Sequence, residues 1–144
     1  MDDLKRFFFK TWSPLESVRD AIADWPLPDA NNEAEFEESL ASFLSTRFDY
    51  LEIRRQFPFG RIRADIVVEQ TVAIELKFQL NSTTEFQRLI GQLDTYSEWG
   101  LRLIVLVVGD IQDDFKRRIE RRLKKDWDDG DSACFIHRRV QDTT

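Results

Sequence analysis

The feature that most constrains the fold is a nearly continuous apolar run from Leu101 to Val108, which lies between two glycines. A run of this length suits a β-strand better than a helix. Because its apolar residues do not alternate with polar ones, both faces of the strand must be covered, as in the centre of a sheet with helices on each side. The run therefore predicts an α/β domain.

The segments around this strand predict three further strands and two helices of a core. Three strands lie at about 51–57, 61–68 and 71–78, and their connections are so short that they must form an antiparallel meander. A helix begins near Asn32, and a second begins at a capping box, Ser82-Thr83-Thr84-Glu85. The core order is therefore α-β-β-β-α-β, with a mixed central sheet flanked by helices.

Two additions to this core are predicted, one at each end of the chain. The motif Ser13-Pro14-Leu15-Glu16 predicts a helix with a capping box, running to about Trp25, and two prolines then break the chain. Residues 1–28 are thus predicted to be an N-terminal helical extension packed on a main domain, residues 29–144. A helix at about 112–126 and a strand at 133–138 complete that domain.

The composition excludes several classes of protein. No apolar run approaches the roughly 18 residues that span a bilayer, so no membrane partner is expected. A single cysteine cannot form an internal disulfide, and a single histidine excludes a Cys/His zinc site. A reducing, cytoplasmic location is the expectation.

The charge of the chain is unevenly distributed. The net charge is −6, and residues 1–50, with 11 acidic and 5 basic side chains, carry all of it. This acidic N-terminal part predicts a face for a protein partner or for a homodimer. Basic residues cluster around the turn near residue 60 and along the helix at 112–126, where they indicate either a nucleic-acid footprint or a solvated face.

Two carboxylates and an ammonium group are predicted to meet on the meander. Alternate residues of a strand share a face, so Glu75 and Lys77 project together. Asp65 opens the apolar stretch of the preceding strand, and the hairpin brings it beside this pair. An exposed surface ion pair is the ordinary explanation of such a Glu-x-Lys pattern. Its position in the middle of an apolar sheet, with an aspartate alongside, favours a functional site instead.

The chemistry of this group is that of a hard-cation site. Charges on central strands are costly unless they are paired or bind metal. Two carboxylates with open positions suit Mg2+ or Mn2+, which polarises a phosphoryl oxygen and lowers the pKa of a bound water. Lys77 could orient that water and stabilise charge developing on phosphorus.

The pattern Asp65, then Glu75-Leu76-Lys77, on an α-β-β-β-α-β frame resembles the PD-(D/E)XK nuclease superfamily, which has the restriction-endonuclease-like fold. The resemblance covers about residues 33 to 109. It implies a Mg2+- or Mn2+-dependent phosphodiesterase, with DNA as the expected substrate. It also implies that Asp65, Glu75 and the Leu76 carbonyl hold the metal. Ala64 stands where the family name has proline, which weakens the motif.

The resemblance implies roles for residues on two helices. Members often carry a metal-supporting glutamate on the helix before the first strand, and Glu37, or alternatively Glu33, fits that position. One branch carries a Gln-x-x-x-Tyr motif on the helix after the third strand, which Gln92 and Tyr96 match one turn apart. The resemblance makes both of them substrate contacts and gives Gln92 a further role in catalysis.

Two arginines near the predicted site have two possible roles. Arg61 and Arg63 share a face with Asp65, where they could line the path of a phosphate backbone. Alternatively, they pair with Glu52 or Glu69 across the meander.

Three functions therefore remain open. The first is an active metal-dependent deoxyribonuclease. The second is a catalytically silent domain of the same fold that binds protein or nucleic acid. The third is a nuclease subunit that is active only with a partner or as a homodimer.

Overall fold

The computed structural model describes residues 2–127 and 132–140. This part of the chain contains five helices and five strands, with three helices first, then three strands, and then helix, strand, helix, strand. The helices are α1 (Asp2–Trp12), α2 (Pro14–Asp24), α3 (Glu33–Arg47), α4 (Thr83–Glu98) and α5 (Asp113–Asp126). The strands are β1 (Ile53–Phe59), β2 (Ile62–Val68), β3 (Val72–Leu80), β4 (Arg102–Ile111) and β5 (Ala133–Arg138).

The five strands form one mixed sheet in the order β1-β2-β3-β4-β5. The first three make an antiparallel meander, because the turns between them are too short for any other pairing. Helix α4 then returns the chain, so β4 pairs parallel to β3, and β5 pairs parallel to β4. The predicted α/β class with a mixed sheet is confirmed.

Two separate apolar cores cover the two faces of the sheet. Along β4, Ile104 and Leu106 face the core on the side of α1, α2 and α3, whereas Val105 and Val107 face the core on the side of α4 and α5. All four side chains are fully buried. This explains the continuous apolar run of β4, which was predicted to be central and covered on both sides.

The helix starts follow the predicted capping chemistry in one case and depart from it in another. Ser82 caps α4 by accepting a hydrogen bond from the Glu85 amide at 3.4 Å, as predicted. Ser13 makes no such bond at the start of α2, so the predicted capping box there is wrong. Its hydroxyl lies 3.0 Å from the hydroxyl of Ser17 instead, and Pro14 takes the first helical position.

Helix α1 was not predicted and is the main addition to the predicted elements. Phe9 inserts into the core beside Phe48, at a ring-centroid distance of 6.0 Å. Arg6 binds the buried carboxylate of Glu69 with an Nε–Oε1 distance of 2.6 Å. The other oxygen of Glu69 accepts the amide of Glu52 at 2.8 Å, so one buried acid fastens α1 to the meander.

The end of α2 is tied to the last strand by one arginine. The guanidinium of Arg138 on β5 donates to the carbonyl of Ile22, and to that of Trp25 at 2.9 Å. These carbonyls belong to the end of α2, where no further turn of helix supplies donors. The segment before residue 28 thus shares a core and a polar anchor with the sheet, while the predicted domain boundary at residue 28 stays a prediction.

Among the described residues, no helix has both the length and the apolar character needed to cross a membrane.

Replacing Arg138 with alanine should destabilise the protein, because the last carbonyls of α2 lose a charged donor. We expect the free energy of unfolding to fall by roughly 1.5–3 kcal/mol, measured by urea denaturation. Arg139→Ala is the matched control, since Arg139 is the exposed neighbour of Arg138. Equal denaturation midpoints for the two variants would contradict this role.

Candidate active site

The candidate site lies where β2 separates from β3. The ladder between the two strands runs from the Val68–Val72 pair to the Ile66–Ile74 pair and ends there. Beyond it, the Leu76 amide donates to the Asp65 carboxylate at 2.7 Å. A side chain thus takes the place of a strand carbonyl, which leaves Asp65 fixed between the two diverging strands.

Glu75 and Lys77 share one face of β3, as the strand period requires. The Lys77 Nζ lies 3.3 Å from Glu75 Oε1. Glu75 is only 1% exposed, and its second oxygen accepts the hydroxyl proton of Tyr96 on α4 at 2.7 Å. Both oxygens of this buried carboxylate therefore have donors, as buried charge demands.

Glu37 on α3 reaches the site from the other side. It is 5% exposed, and its carboxylate accepts hydrogen bonds from Arg55 Nε at 3.2 Å and from Gln56 Nε2 at 3.0 Å. Gln56 Nε2 also lies 3.4 Å from Asp65 Oδ1. Gln56 therefore bridges the helix carboxylate and the strand carboxylate.

Gln56 is a site residue that the sequence does not reveal. Its φ is +51°, in the left-handed region that non-glycine residues rarely adopt. The β1–β2 ladder pairs Arg55 with Ile66 and Phe57 with Ala64, and omits Gln56 and Asp65. This irregularity aims the Gln56 amide at the two acids. A glutamine in an apparently regular strand carries no sequence signal for it.

Glu33 also contacts the site, one turn before Glu37 on α3. Its Oε1 accepts the amide of Phe78 at 3.1 Å. The helix thus presents two carboxylates to the sheet, Glu37 towards β1 and Glu33 towards β3. The assignment of the metal-supporting role to Glu37 rather than Glu33 stays a prediction.

Crowding and burial of these acids make protons bind tightly. Burial, together with the charges of Glu75 and Glu37, raises the pKa of Asp65 from 3.8 to about 8, although the Leu76 amide and Lys77 oppose the shift. Burial also raises the pKa of Glu75, against the opposing effects of Lys77 and Tyr96. Perturbed acids in one cluster are typical of functional sites, because catalysis and ligand binding require shifted pKa values.

The two proton donors of the cluster stay protonated. Burial alone would lower the pKa of Lys77, but Glu75, Glu33 and Asp65 together raise it. Burial and the charge of Glu75 raise the pKa of the Tyr96 hydroxyl. Lys77 is therefore a fixed cation at neutral pH, and Tyr96 is a hydrogen-bond donor that holds Glu75 in place.

Gln92 lies one turn before Tyr96 on α4. Its side-chain Oε1 is buried and has no hydrogen-bond partner within the described residues. A buried amide oxygen without a donor is uncommon, because its desolvation is then uncompensated. Gln92 therefore offers a free acceptor on the flank of α4 that carries Tyr96. Tyr96 itself is fully buried, and the substrate contact predicted for it stays a prediction.

The arginines of the β1–β2 turn are exposed. Arg61 and Arg63 form no ion pair with any residue in 2–127 or 132–140, so the alternative of pairing with Glu52 or Glu69 is not found there. Glu69 instead binds Arg6. Both arginines remain available to an anion.

The basic helix is less free than its sequence indicates. Arg117 and Arg118 of α5 each lie 3.7 Å from the carboxylate of Asp114. Arg122 binds Asp94 of α4, and Asp126 at 2.8 Å. These acids neutralise part of the helix, which favours a solvated face over a nucleic-acid footprint.

The donor chemistry of the site fits a hard divalent cation through two carboxylates and a carbonyl. When both are ionised, Asp65 and Glu75 carry like charges that Lys77 offsets only in part. Such a set, completed by water, is what Mg2+ takes. Within residues 2–127 and 132–140, no group of three or more His, Cys, Asp and Glu side chains is arranged to hold a metal ion. Glu37 in particular is engaged by Arg55 and Gln56.

The raised pKa of Asp65 predicts how stability depends on pH. The folded state binds this proton more tightly than the unfolded chain, so its contribution to stability is full below about pH 4 and is lost as the pH rises through about 8. Asp65→Asn removes this loss. The free energy of unfolding of the variant, relative to that of the wild type, should therefore rise by roughly 1–3 kcal/mol from about pH 5 to about pH 8.

Urea denaturation in the presence of EDTA measures this gain. Asp49→Asn, a change of the same kind at an exposed turn residue, is the control and should follow the wild type at both pH values. A pH profile of Asp65→Asn parallel to that of the wild type would show that Asp65 titrates as an ordinary aspartate.

Comparisons with known proteins give no relative for this chain. Its sequence matches no protein-family model and no curated protein, and its structure matches no solved structure.

Proposed function

We propose that this protein is a Mg2+- or Mn2+-dependent nuclease that hydrolyses phosphodiester bonds, with DNA as its substrate, on a restriction-endonuclease-like fold. The observation that carries the proposal is the cluster of buried Glu75 with half-buried Asp65 and Lys77 at the divergence of β2 and β3. The order of helices and strands supports the fold, because a meander followed by a helix and a parallel strand surrounds this cluster.

The cluster is hard to explain as a structural device. A buried ion pair contributes little to stability, and an aspartate whose pKa is raised to about 8 lowers stability at neutral pH. The strand that Glu75 and Lys77 occupy packs its other side chains, apart from the exposed Gln79, in apolar cores. Charges kept at such a cost, next to a surface, indicate a site that acts on a ligand.

Asp65, Glu75 and the Leu76 carbonyl are the groups that would hold the cation. The chemistry that Mg2+ supplies in such a site is polarisation of a phosphoryl oxygen and a lower pKa of bound water. Tyr96 donates a hydrogen bond to Glu75 at 2.7 Å, and Gln56 donates one to Asp65 at 3.4 Å. They fix the orientation of the acids before a substrate arrives.

The remaining groups act on the substrate. Lys77 is a fixed cation that can stabilise negative charge on phosphorus. The free acceptor of Gln92 can hold a donor such as a water molecule. Arg61 and Arg63, which are exposed, can bind the phosphate backbone as it approaches.

The test is cleavage of a panel of nucleic acids by purified protein. The panel contains linear and circular duplex DNA, single-stranded DNA, branched DNA and RNA, each with Mg2+, Mn2+ or EDTA. We expect metal-dependent cleavage of DNA that Lys77→Met and Glu75→Gln reduce by about a hundredfold or more. Glu38→Gln, which changes an exposed acid of α3, should cleave like the wild type.

The outcomes separate the assignments. Cleavage that survives both Lys77→Met and Glu75→Gln would place the active site elsewhere. Preferred cleavage of RNA would retain the site and change the substrate. If the protein cuts nothing in the panel, two assignments remain: a catalytically silent domain, or a nuclease subunit that needs a partner.

One observation favours a second function, a catalytically silent domain that binds protein or nucleic acid. In the part of the chain that the structure describes, no three His, Cys, Asp or Glu side chains come together to hold a metal ion, and Glu37 is already engaged by Arg55 and Gln56. A domain that uses these charged side chains only to stabilise its fold would have this arrangement. Metal binding distinguishes the two functions without any substrate.

Isothermal titration calorimetry with Mn2+ makes that distinction. If the site is a nuclease centre, Mn2+ binds the wild type and not Asp65→Asn or Glu75→Gln, while Glu38→Gln keeps wild-type affinity. Binding should also strengthen from about pH 6 to about pH 8, because Asp65 must lose its proton to bind the cation. Identical isotherms for the wild type and Asp65→Asn would favour the silent domain.

A further inference from the structure

Helix α1 leaves most of its apolar surface exposed. Phe9 is its one buried side chain among residues 2–12. Leu4, Phe7, Phe8 and Trp12 are each at least half exposed. Exposed large side chains of this kind, concentrated on one element, are typical of an interaction site.

These four residues form one continuous stripe. Leu4, Phe8 and Trp12 are spaced four residues apart, and Phe7 lies three residues after Leu4, so all four share one face of the helix. Phe9 and Arg6, which dock α1 on the domain, lie on the opposite face. We call the exposed face the α1 stripe. It points away from the body of the protein.

A cover over the α1 stripe would stabilise the helix. The helix has 11 residues, and isolated helices of that length are marginal in water. Phe9, the Arg6–Glu69 pair and a contact of Lys5 with the ring of Tyr50 are its attachments. Burying the stripe would add apolar area several times that of Phe9 alone.

We propose that the α1 stripe binds the α1 stripe of a second copy of this chain in an antiparallel, two-fold pair. Asp3 and Lys10 are seven residues apart, which is close to two turns, so they lie on the same flank of the stripe. An antiparallel two-fold pair brings matching flanks together. Asp3 of each copy then meets Lys10 of the second copy, twice, beside an apolar contact centred near Phe7.

The charges of α1 favour this occupant over a membrane surface. Arg6 forms an ion pair with Glu69. The other charged side chains of α1 are two acids, Asp2 and Asp3, and two bases, Lys5 and Lys10, so their charges cancel. A helix that binds an anionic bilayer needs an excess of positive charge. The whole chain, at −6, would be repelled by such a surface.

The oligomeric state of the full chain tests the proposal, which does not depend on nuclease activity. Light scattering after size exclusion, over a series of concentrations, should give twice the 17.1 kDa chain mass for the wild type. Phe7→Glu should give the monomer mass throughout. Trp99→Glu, which changes an equally exposed aromatic residue outside α1, should stay dimeric. Circular dichroism checks that both variants remain folded.

Charge reversal tests the antiparallel geometry. Asp3→Lys and Lys10→Asp should each weaken the dimer by roughly five- to thirtyfold, because each turns two attractions into repulsions. Mixing the two variants in equal amounts should restore the dimer. In the mixed pair the two substituted side chains, which have opposite charges, face each other, and the unchanged Lys10 of one variant meets the unchanged Asp3 of the other. A parallel pair sets each of these residues beside its own copy, so a single charge reversal leaves like charges facing each other and would not weaken the dimer. A contact through another surface would be unaffected by either single variant.

Three results would overturn the proposal. The first is a wild type that is monomeric at every concentration. The second is a dimer that Phe7→Glu leaves intact. The third is a monomer that co-sediments with phosphatidylcholine–phosphatidylglycerol vesicles through the α1 stripe, which would make a lipid surface its occupant.

Discussion

Strand β3 has neighbours on both edges and apolar cores on both faces, so a charged side chain on it must find its partners inside the protein. Glu75 and Lys77 meet that constraint by contacting each other and by drawing on Tyr96 from α4. The backbone amide of Leu76, between them, takes Asp65 as its acceptor. The arrangement of the site thus follows from placing charge in the middle of the sheet.

The sequence was sufficient to predict the sheet and its central acids, because both depend on periodicity. The apolar run of β4 predicted a strand covered on both faces, and alternation along β3 placed Glu75 and Lys77 together. The pattern placed Tyr96 one turn after Gln92 on α4, but it did not show that the Tyr96 hydroxyl binds Glu75.

The features that could not be predicted depend on tertiary contacts. Gln56 leaves the regular strand for the left-handed region, and only the assembled carboxylates explain why. Helix α1 lacks a partner for its apolar stripe within the described chain, so its pattern gave no indication of what it packs against. At Ser13, a local motif for capping gave way to a hydroxyl contact with Ser17.

The bond between Arg138 and the end of α2 has a consequence for synthesis of the chain. It joins residues more than a hundred positions apart, since the Ile22 contact spans 116 residues. During translation, α2 leaves the ribosome long before β5 exists. The Ile22 carbonyl can accept the Trp25 amide in that interval, but neither carbonyl yet has the charged donor of Arg138. The N-terminal segment must therefore wait in an incomplete state while the sheet is made. Final closure of this domain is an event that follows translation of residue 138.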